Sequence, residues 1–314
     1  MICFDKLRIS IPIHLVTDIN YGKFQEKKEK NNITTYKYEI YKPYHLSILI
    51  RLYEIVVEFS GKILLDNYIY LINRNTIYEC FENIKKIDVI KFDIDRVIND
   101  SEVVLGDVTK DFSGNLEAIK QYMILNLLDR VNWTVTTPKR TNNVILHNNV
   151  MTTRYKKRLT FYDKVKEMLR AENKDFLLSL RDAEELLNYF DENNIRAECN
   201  IKCKEQIRKL LNINDTNLRD VLESEANPTL TILIEAVRNI NDIDFKSTGN
   251  ITSLKEYEKL SVIRECDYDM LTVEQLIKTY SPKDTSRKLK PYYEVFDKIK
   301  KNDMPRIDLH ALVS

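Results

Sequence analysis

The feature that most constrains the fold is a two-residue alternation of apolar and polar side chains in the first two thirds of the chain. In the segment LRISIPI, residues 7–13, Leu7, Ile9 and Ile11 alternate with Arg8 and Ser10. A period of two sends successive side chains to opposite faces of a strand, so one face packs on a core while the other meets water. This pattern is typical of antiparallel sheets with one buried face.

Three later segments repeat this alternation: residues 89–95 (VIKFDID), 158–164 (RLTFYDK) and 195–202 (IRAECNIK). In each of them the apolar side chains share one face of the strand and the polar side chains share the other. If the three strands belong to one sheet, their polar side chains lie together on its solvent-exposed face. That face then carries Asp93, Arg158, Tyr162, Lys164, Arg196 and Glu198.

The C-terminal third has a different period. From about residue 206 to residue 314, apolar residues recur at spacings of three and four, which is typical of amphipathic helices. We therefore predict an α+β protein with two domains. Residues 1–205 form an antiparallel-sheet domain, and residues 206–314 form a helical region with a DNA-binding or accessory role.

Composition places the chain among soluble globular proteins, with 43% apolar and 31% charged residues. No window approaches eighteen uncharged apolar residues, and Asp5, Lys6 and Arg8 stand where a signal peptide would need its apolar core. We expect a cytoplasmic protein without a membrane partner. The five cysteines contain no CxxC pair, so the sequence suggests neither a disulfide framework nor a zinc site.

A basic segment spans residues 152–170, where seven Lys or Arg residues accompany two acidic ones. The formal net charge of the whole chain is only +1, so a nucleic-acid partner would have to be held by a local patch of this kind. A solvated basic face explains the same charge equally well.

The polar face of the predicted sheet suits phosphoryl-transfer chemistry. Two carboxylates from neighbouring strands are typical ligands for Mg²⁺ or Mn²⁺. A tyrosine beside such a metal and several cations can attack a phosphodiester, because the positive charges offset the charge that develops. The chain has no GxxxxGK[ST], GxGxxG or GxSxG motif, and its four histidines include no pair at ligand spacing. The alternative interpretation is an ordinary solvent-exposed sheet face. In that case Tyr162 is an aromatic strand residue without a catalytic role, and Arg196 and Glu198 form an ion pair.

The order of these segments resembles the gene II/X family of phage and plasmid replication initiation proteins, which are rolling-circle endonucleases. The resemblance covers about residues 1–215 and includes LYEIVVEFSGKILLDNY between the first two strands. Its most specific parts are the YxKxxE pattern of FYDKVKE and the RxE pattern of IRAE. It implies a nicking domain of the HUH/Rep kind. Many such enzymes bind their metal through a His-hydrophobic-His strand, which this chain lacks, so it fits the branch in which carboxylates replace the histidines.

Carried over residue by residue, the resemblance implies that Tyr162 is the nucleophile that nicks one DNA strand and stays joined to the 5′ phosphate. Lys164 and Arg196 fall on the family's other catalytic positions. The resemblance also implies a Mg²⁺ or Mn²⁺ cofactor, held by Asp93 and Glu198 with Glu167 as a third ligand.

The predicted partner is the single strand of a melted replication origin. We expect its backbone to be held by the basic run, with Tyr155 stacking on a base; the run comprises Arg154, Tyr155, Lys156, Lys157 and Arg158. The chain contains no helicase motif, so a host helicase would have to act in trans. Two alternatives keep the same fold: a non-catalytic origin-binding regulator of replication, and a relaxase for plasmid mobilisation.

Overall fold

The computed structural model of the protein describes residues 1–28, 34–127, 131–138, 140–152, 155–237, 251–266, 268–299 and 313. Within these residues the strands are β1 (Phe4–Pro12), β2 (Val16–Ile19), β3 (Gln25–Lys28), β4 (Thr34–Ile40), β5 (Leu46–Ile50), β6 (Glu54–Ser60), β7 (Ile90–Phe92), β8 (Glu102–Phe112), β9 (Trp133–Thr136), β10 (Val144–Asn148), β11 (Arg158–Asp163) and β12 (Ile195–Ile201).

The α-helices of the described residues follow the same chain order. They are α1 (Ile77–Lys86), α2 (Ile94–Asp100), α3 (Leu116–Asn126), α4 (Lys164–Met168), α5 (Lys174–Ser179), α6 (Ala183–Glu192), α7 (Lys204–Leu211), α8 (Leu218–Glu223), α9 (Pro228–Ala236), α10 (Leu254–Glu265), α11 (Met270–Tyr280) and α12 (Thr285–Ile299). A 3₁₀ segment spans Gly61–Tyr70.

The chain divides into two compact units, of which the first comprises residues 1–114 and 150–232 and the second residues 115–149 and 233–314. The large antiparallel sheet and the helical C-terminal part confirm the predicted α+β class. The predicted boundary at residue 205 does not coincide with this division, because α7 and α8 belong to the first unit. Backbone hydrogen bonds tie the approach to α8 to the start of β8: Val103 donates to Thr216 at 2.7 Å, and Leu218 donates to Ser101 at 2.8 Å.

In the first unit, eight strands form an antiparallel sheet in the order β3-β4-β5-β6-β1-β8-β12-β11. The strands β2 and β7 pair separately in a small second sheet. One face of the large sheet is a core face, on which Leu7, Ile9 and Phe59 have no exposed surface. The helix α1 packs on this face, with the rings of Phe59 and Phe81 6.0 Å apart.

The opposite face of the same sheet, which we call the polar face, carries three rows of side chains in register across β1, β8, β12 and β11. The first row is Lys6, Asp107, Asn200 and Arg158; the second is Thr109, Glu198 and Thr160; the third is Asp111, Arg196 and Tyr162. Tyr162 therefore keeps the strand phase that the sequence predicts.

A β-bulge in β1 brings one more side chain to the polar face. The register of β1 against β8 shifts between Phe4 and Lys6, which leaves Asp5 as an extra residue. A bulge lets two successive residues point to the same side. Lys6 approaches Asp107 on the polar face, and Asp5 reaches Arg196 on that face as well.

A helical layer of the first unit lies against the third row. It consists of the segment Gly61–Tyr70 with α4, α5 and α6, and its own apolar cluster contains Tyr68, Leu71, Met168, Phe176, Leu186 and Phe190. The sequence predicts a single helix over residues 176–194, but the structure has two. The break falls before Asp182, whose side chain caps α6 by accepting a hydrogen bond from the backbone N–H of Glu185 at 2.9 Å.

In the second unit, β9 and β10 form an antiparallel pair, and the helices α10, α11 and α12 pack together. Their shared core includes Leu260, Ile263, Val273 and Phe296. None of the helices in the described part of the chain is long and apolar enough to cross a membrane.

Candidate active site

Tyr162 and Glu198 meet on the polar face, as the sequence predicts. Tyr162 lies in the third row on β11, and its hydroxyl donates a hydrogen bond to Glu198 Oε2 on the neighbouring strand β12 at 3.2 Å. Tyr162 is half-buried. Burial, followed by the charge of Glu198, raises the pKa of the Tyr162 hydroxyl well above its usual range, while Arg196 acts in the opposite direction.

A second carboxylate, Asp107 on β8, accompanies Glu198. The side-chain amide of Asn200 donates to Glu198 Oε1 and to Asp107 Oδ1, both at 2.8 Å, and so links the two carboxyl groups. Burial and the nearby charge of Asp107 raise the pKa of Glu198 to about 7. Burial also raises the pKa of Asp107, although Lys6 opposes this shift. The pair therefore carries negative charge that the protein compensates only in part.

Asp93, the carboxylate predicted from the sequence, lies elsewhere. It is exposed and caps α2, where its Oδ1 accepts a hydrogen bond from the backbone N–H of Arg96 at 3.0 Å. The preceding strand β7 belongs to the small second sheet, so Asp93 does not share a face with Glu198. The expectation of a common face is wrong for this residue, because the strand ends at Phe92 and a helix begins at Ile94 although the alternation of VIKFDID continues.

Sequence reasoning missed Asp107, although its signal was present. In EVVLGDVTKDF, residues 102–112, Asp107, Thr109 and Asp111 alternate with Gly106, Val108 and Lys110. Glycine has no side chain to pack, so an alternation that includes Gly106 is only a weak indication of a strand with one buried face. In the structure Gly106 has a packing role, because a Cβ at this position would lie 2.9 Å from the ring of Phe4.

Arg196, a predicted catalytic residue, lies behind the site rather than at its surface. It is fully buried, and its guanidinium binds Asp111 through two hydrogen bonds of 2.6 and 2.7 Å. Its Nη1 also donates to Asp5 and to the Tyr68 hydroxyl, each at 2.7 Å. Burial alone would lower the pKa of Arg196, but Asp111, Tyr68 and Asp5 together outweigh it and raise the pKa well above the ordinary value. Arg196 is thus placed to position strands and to act on Tyr162 through its charge.

Lys164 and Glu167, the other residues of the YxKxxE pattern, form a buried ion pair. Lys164 is the first residue of α4, is only 1% exposed, and its Nζ lies 5.8 Å from the centre of the Tyr162 ring. Burial and then Arg196 lower the pKa of Lys164. Burial opposes ionisation of Glu167, but Lys164 and Lys62 lower its pKa to about 2.

Glu167 was predicted as a third metal ligand, and its oxygens are engaged by other groups in this structure. Oε2 accepts from Lys164, and Oε1 accepts from Asn173 Nδ2 at 2.9 Å and lies 3.8 Å from Lys62 Nζ. This arrangement orders α4 directly after the strand that carries Tyr162.

The basic run lies at the start of β11. Arg154 falls outside the described residues, Tyr155 is exposed, and Lys156 and Lys157 are half-buried. Arg158 opens β11, is half-buried, and donates from Nε to Thr160 Oγ1 at 3.2 Å. It is the member of the run that shares the first row with Asp107.

Across the described ranges, no group of three or more His, Cys, Asp and Glu side chains is arranged to hold a metal ion. The Asp107–Glu198 pair, with one linking amide, is smaller than such a group. When the whole chain is compared with protein families and with curated proteins, no family model and no curated protein matches it.

The chemistry of the site follows from these contacts. A carboxyl group with a pKa near 7 can accept or return a proton at neutral pH, and Glu198 is hydrogen-bonded to the Tyr162 hydroxyl. The buried cations Lys164 and Arg196 lie near the same tyrosine; Arg196 lowers the pKa of its hydroxyl, but burial and the charge of Glu198 outweigh this effect. The arrangement provides a nucleophile, a proton acceptor and fixed positive charge.

Proposed function

We propose that this protein initiates rolling-circle replication by nicking single-stranded origin DNA with Tyr162. The observation that carries the proposal is the hydrogen bond between the Tyr162 hydroxyl and Glu198, beside a second carboxylate at Asp107. The resemblance to the gene II/X family supports it. We infer that the sheet domain is a nicking domain of the HUH/Rep kind, in which carboxylates take the place of the histidine pair.

In the proposed reaction the Tyr162 oxygen attacks the scissile phosphorus while its proton passes to the Glu198 carboxylate. The bond between phosphorus and the 3′ oxygen breaks, and the 3′ oxygen leaves as a hydroxyl with the proton that Glu198 took from Tyr162. The product is a phosphotyrosine joined to the 5′ phosphate. Because this linkage conserves the energy of the broken bond, a later 3′ hydroxyl can reverse the step and rejoin the strand.

A divalent cation fits the Asp107–Glu198 pair, and we place the proposed Mg²⁺ or Mn²⁺ there instead of at Asp93. Asp107 and Glu198 Oε1 would hold it, and Glu198 Oε2 would remain the acceptor for the Tyr162 hydroxyl. Proteins commonly hold Mg²⁺ with one or two carboxylates and leave its other positions to water and substrate phosphate. The raised pKa values of both carboxyl groups reflect charge that such an ion would offset. When bound, the ion would act as a Lewis acid toward the scissile phosphate.

The nucleophile is tested with Tyr162→Phe and a matched control, Tyr53→Phe, whose ring is exposed in the turn between β5 and β6. Each protein is incubated with Mn²⁺ and a labelled single strand of the replicon's own origin, and covalent adducts are resolved on a denaturing gel. We expect Tyr162→Phe to form no adduct and Tyr53→Phe to form as much as wild type. An undiminished adduct with Tyr162→Phe would falsify the assignment.

The metal site is tested by thermal unfolding with and without Mn²⁺, which needs no activity. A ligand at 100 times its Kd stabilises the folded state by about 2.7 kcal/mol. We expect this gain to disappear in Asp107→Asn and Glu198→Gln, and to shrink between pH 8 and pH 6 as protons compete with the ion. Asp93→Asn is the control, since asparagine also caps helices. If Asp93→Asn alone lost the stabilisation by Mn²⁺, the metal would have to be assigned to Asp93, as the sequence predicts.

The two alternative functions predict different products. A non-catalytic replication regulator of the same fold would bind origin DNA without forming any adduct. A mobilisation relaxase would form the same adduct, but on a transfer origin and not on a replication origin. Comparing both single-stranded origins in one adduct assay separates the three.

A further inference from the structure

A cleft of about 520 Å³ opens on the polar face beside the candidate active site. Its walls include three residues of the first row, Lys6, Asp107 and Arg158, together with Lys202, which follows β12. The apolar side chain of Leu105 lines the same space. The cleft therefore combines charged walls with an apolar surface.

The charge of the cleft favours an anion. Three cations line it, and the one acidic side chain among its lining residues is Asp107. Lys6 is shared between Glu58 and Asp107, each at 3.7 Å. Arg158 and Lys202 have no carboxylate within ion-pair distance in the part of the chain that the structure describes. Their positive charge is thus available to a ligand.

The position of the cleft relates it to the Tyr162–Glu198 pair. Glu198 lies in the second row and the cleft begins at the first, so the two are separated by one step of two residues, about 6.6 Å along a strand. Successive phosphates of an extended single strand are separated by a similar distance. Tyr162 itself lies in the third row, but its hydroxyl reaches the Glu198 carboxylate in the second row. A strand whose scissile phosphate lies at this hydroxyl would place a neighbouring phosphate over the first row.

We propose that this cleft binds the nucleotide next to the scissile phosphate of single-stranded DNA. Arg158 and Lys202 bind its phosphodiester, Lys6 adds positive charge from β1, and the sugar packs against Leu105. This inference rests on the proposed function for the direction of the strand. It adds Lys6 and Lys202, which lie outside the basic run, to the predicted DNA contacts.

The test measures binding of a labelled mixed-sequence single-stranded DNA by fluorescence anisotropy at several salt concentrations and fixed Mg²⁺. All variants carry Tyr162→Phe, so that no strand is cleaved. For single strands, the slope of log K against log salt changes by about 0.7 for each phosphate contact. Because both cations bind the same phosphodiester, we expect the double variant Arg158→Gln/Lys202→Gln to reduce the slope by about that amount, and each single variant to reduce it by part of that amount.

Matched controls make the same charge changes away from the cleft. Arg181→Gln removes a guanidinium that is 95% exposed, and Lys209→Gln removes an exposed ammonium on α7. Arg158→Lys keeps the charge and should keep the wild-type slope. Lys202 is itself exposed, so its substitution leaves the core of the fold intact. Slopes for Arg158→Gln and Lys202→Gln equal to those of the controls would overturn the proposal.

The two proposals fail in different ways. If wild type forms no adduct but the slopes change as expected, the cleft binds single strands and the nicking function is wrong. If wild type forms the adduct but the slopes stay at the control values, nicking stands and the cleft proposal is wrong.

Discussion

At the scale of single residues, Glu198 is the group whose charge depends most on its surroundings. Its neighbours on the polar face are a tyrosine hydroxyl, an asparagine amide and the carboxyl group of Asp107. Burial and that second carboxyl raise its pKa from 4.5 to about 7. The same interactions that prepare Glu198 to accept a proton from Tyr162 therefore cost stability when Glu198 is ionised.

This cost predicts a pH-dependent stability. Between the unfolded pKa of 4.5 and the folded pKa of about 7, the folded protein holds a proton that the unfolded chain releases. The contribution of Glu198 to the free energy of unfolding is therefore highest below pH 4.5 and is lost as the pH rises through 7. At 1.36 kcal/mol per pKa unit, the loss is on the order of 3 kcal/mol at most.

Glu198→Gln removes the titrating group, so we expect its free energy of unfolding to fall less than that of wild type between pH 5 and pH 8. Urea unfolding at both pH values, without divalent cations, measures the difference. Glu172→Gln, at a side chain 71% exposed, is the control and should follow wild type. An equal fall in wild type and Glu198→Gln would show that Glu198 does not titrate in this range.

At the scale of elements, β8 and β12 are joined by a buried ion pair as well as by their backbone ladder. Arg196 and Asp111 face each other in the register, and the guanidinium binds both carboxylate oxygens. Asp5, at the bulge of β1, and Tyr68, in the helical layer, complete the shell around Arg196. One side chain thus connects two further segments to the strands that carry Glu198 and Asp107.

Removing one partner of a buried ion pair leaves the other charge without compensation, which typically costs about 3–5 kcal/mol. We expect Arg196→Met to lower the free energy of unfolding by this amount in urea titrations. Arg8→Met is the matched control on β1, because the Arg8 side chain is 41% exposed where it pairs with Glu58. A partly exposed pair contributes about 1 kcal/mol or less. Similar losses in the two variants would contradict the special role of Arg196.

The strand predictions succeeded for β11 and β12 and failed for the second half of VIKFDID, where a helix begins. In β11 and β12, Leu159, Phe161 and Cys199 are buried as the two-residue period predicts. VIKFDID alternates over seven residues, as RLTFYDK does, but in sequence an aspartate at the end of a strand looks the same as one that caps the next helix. Asp93 is of the second kind. The two-residue period alone does not distinguish an aspartate within a strand from an aspartate that caps a helix, since both give the same local pattern.

At the scale of the whole molecule, the first unit is completed by residues beyond the predicted boundary. The helices α7 and α8 bury Ile207, Leu210, Leu218 and Val221, and the first unit extends to residue 232. A chain that ends at residue 205 lacks these apolar side chains and the backbone bonds between residues 216–218 and β8.

We expect a chain ending at Ile232 to unfold cooperatively in urea, and a chain ending at Glu205 to unfold with a shallower slope or to aggregate. The slope of the free energy with denaturant reports the surface exposed on unfolding, so it reads out whether the sheet has kept its packing. Equal cooperativity in the two chains would support the predicted boundary at residue 205 over the division seen in the structure.

Local alternation was enough to predict the α+β class, the phase of β11 and the meeting of Tyr162 with Glu198. It could not identify the second carboxylate, because that depends on which strands become neighbours, and strand order is set by hydrogen bonding between distant segments. Pairing of β8 with β12 brings Asp107 to the site and leaves Asp93 in another sheet. The sequence also could not predict that Lys164 and Arg196 are buried. Residues 61–70 and the helices after β11 cover them, and only the tertiary fold brings that layer onto the sheet.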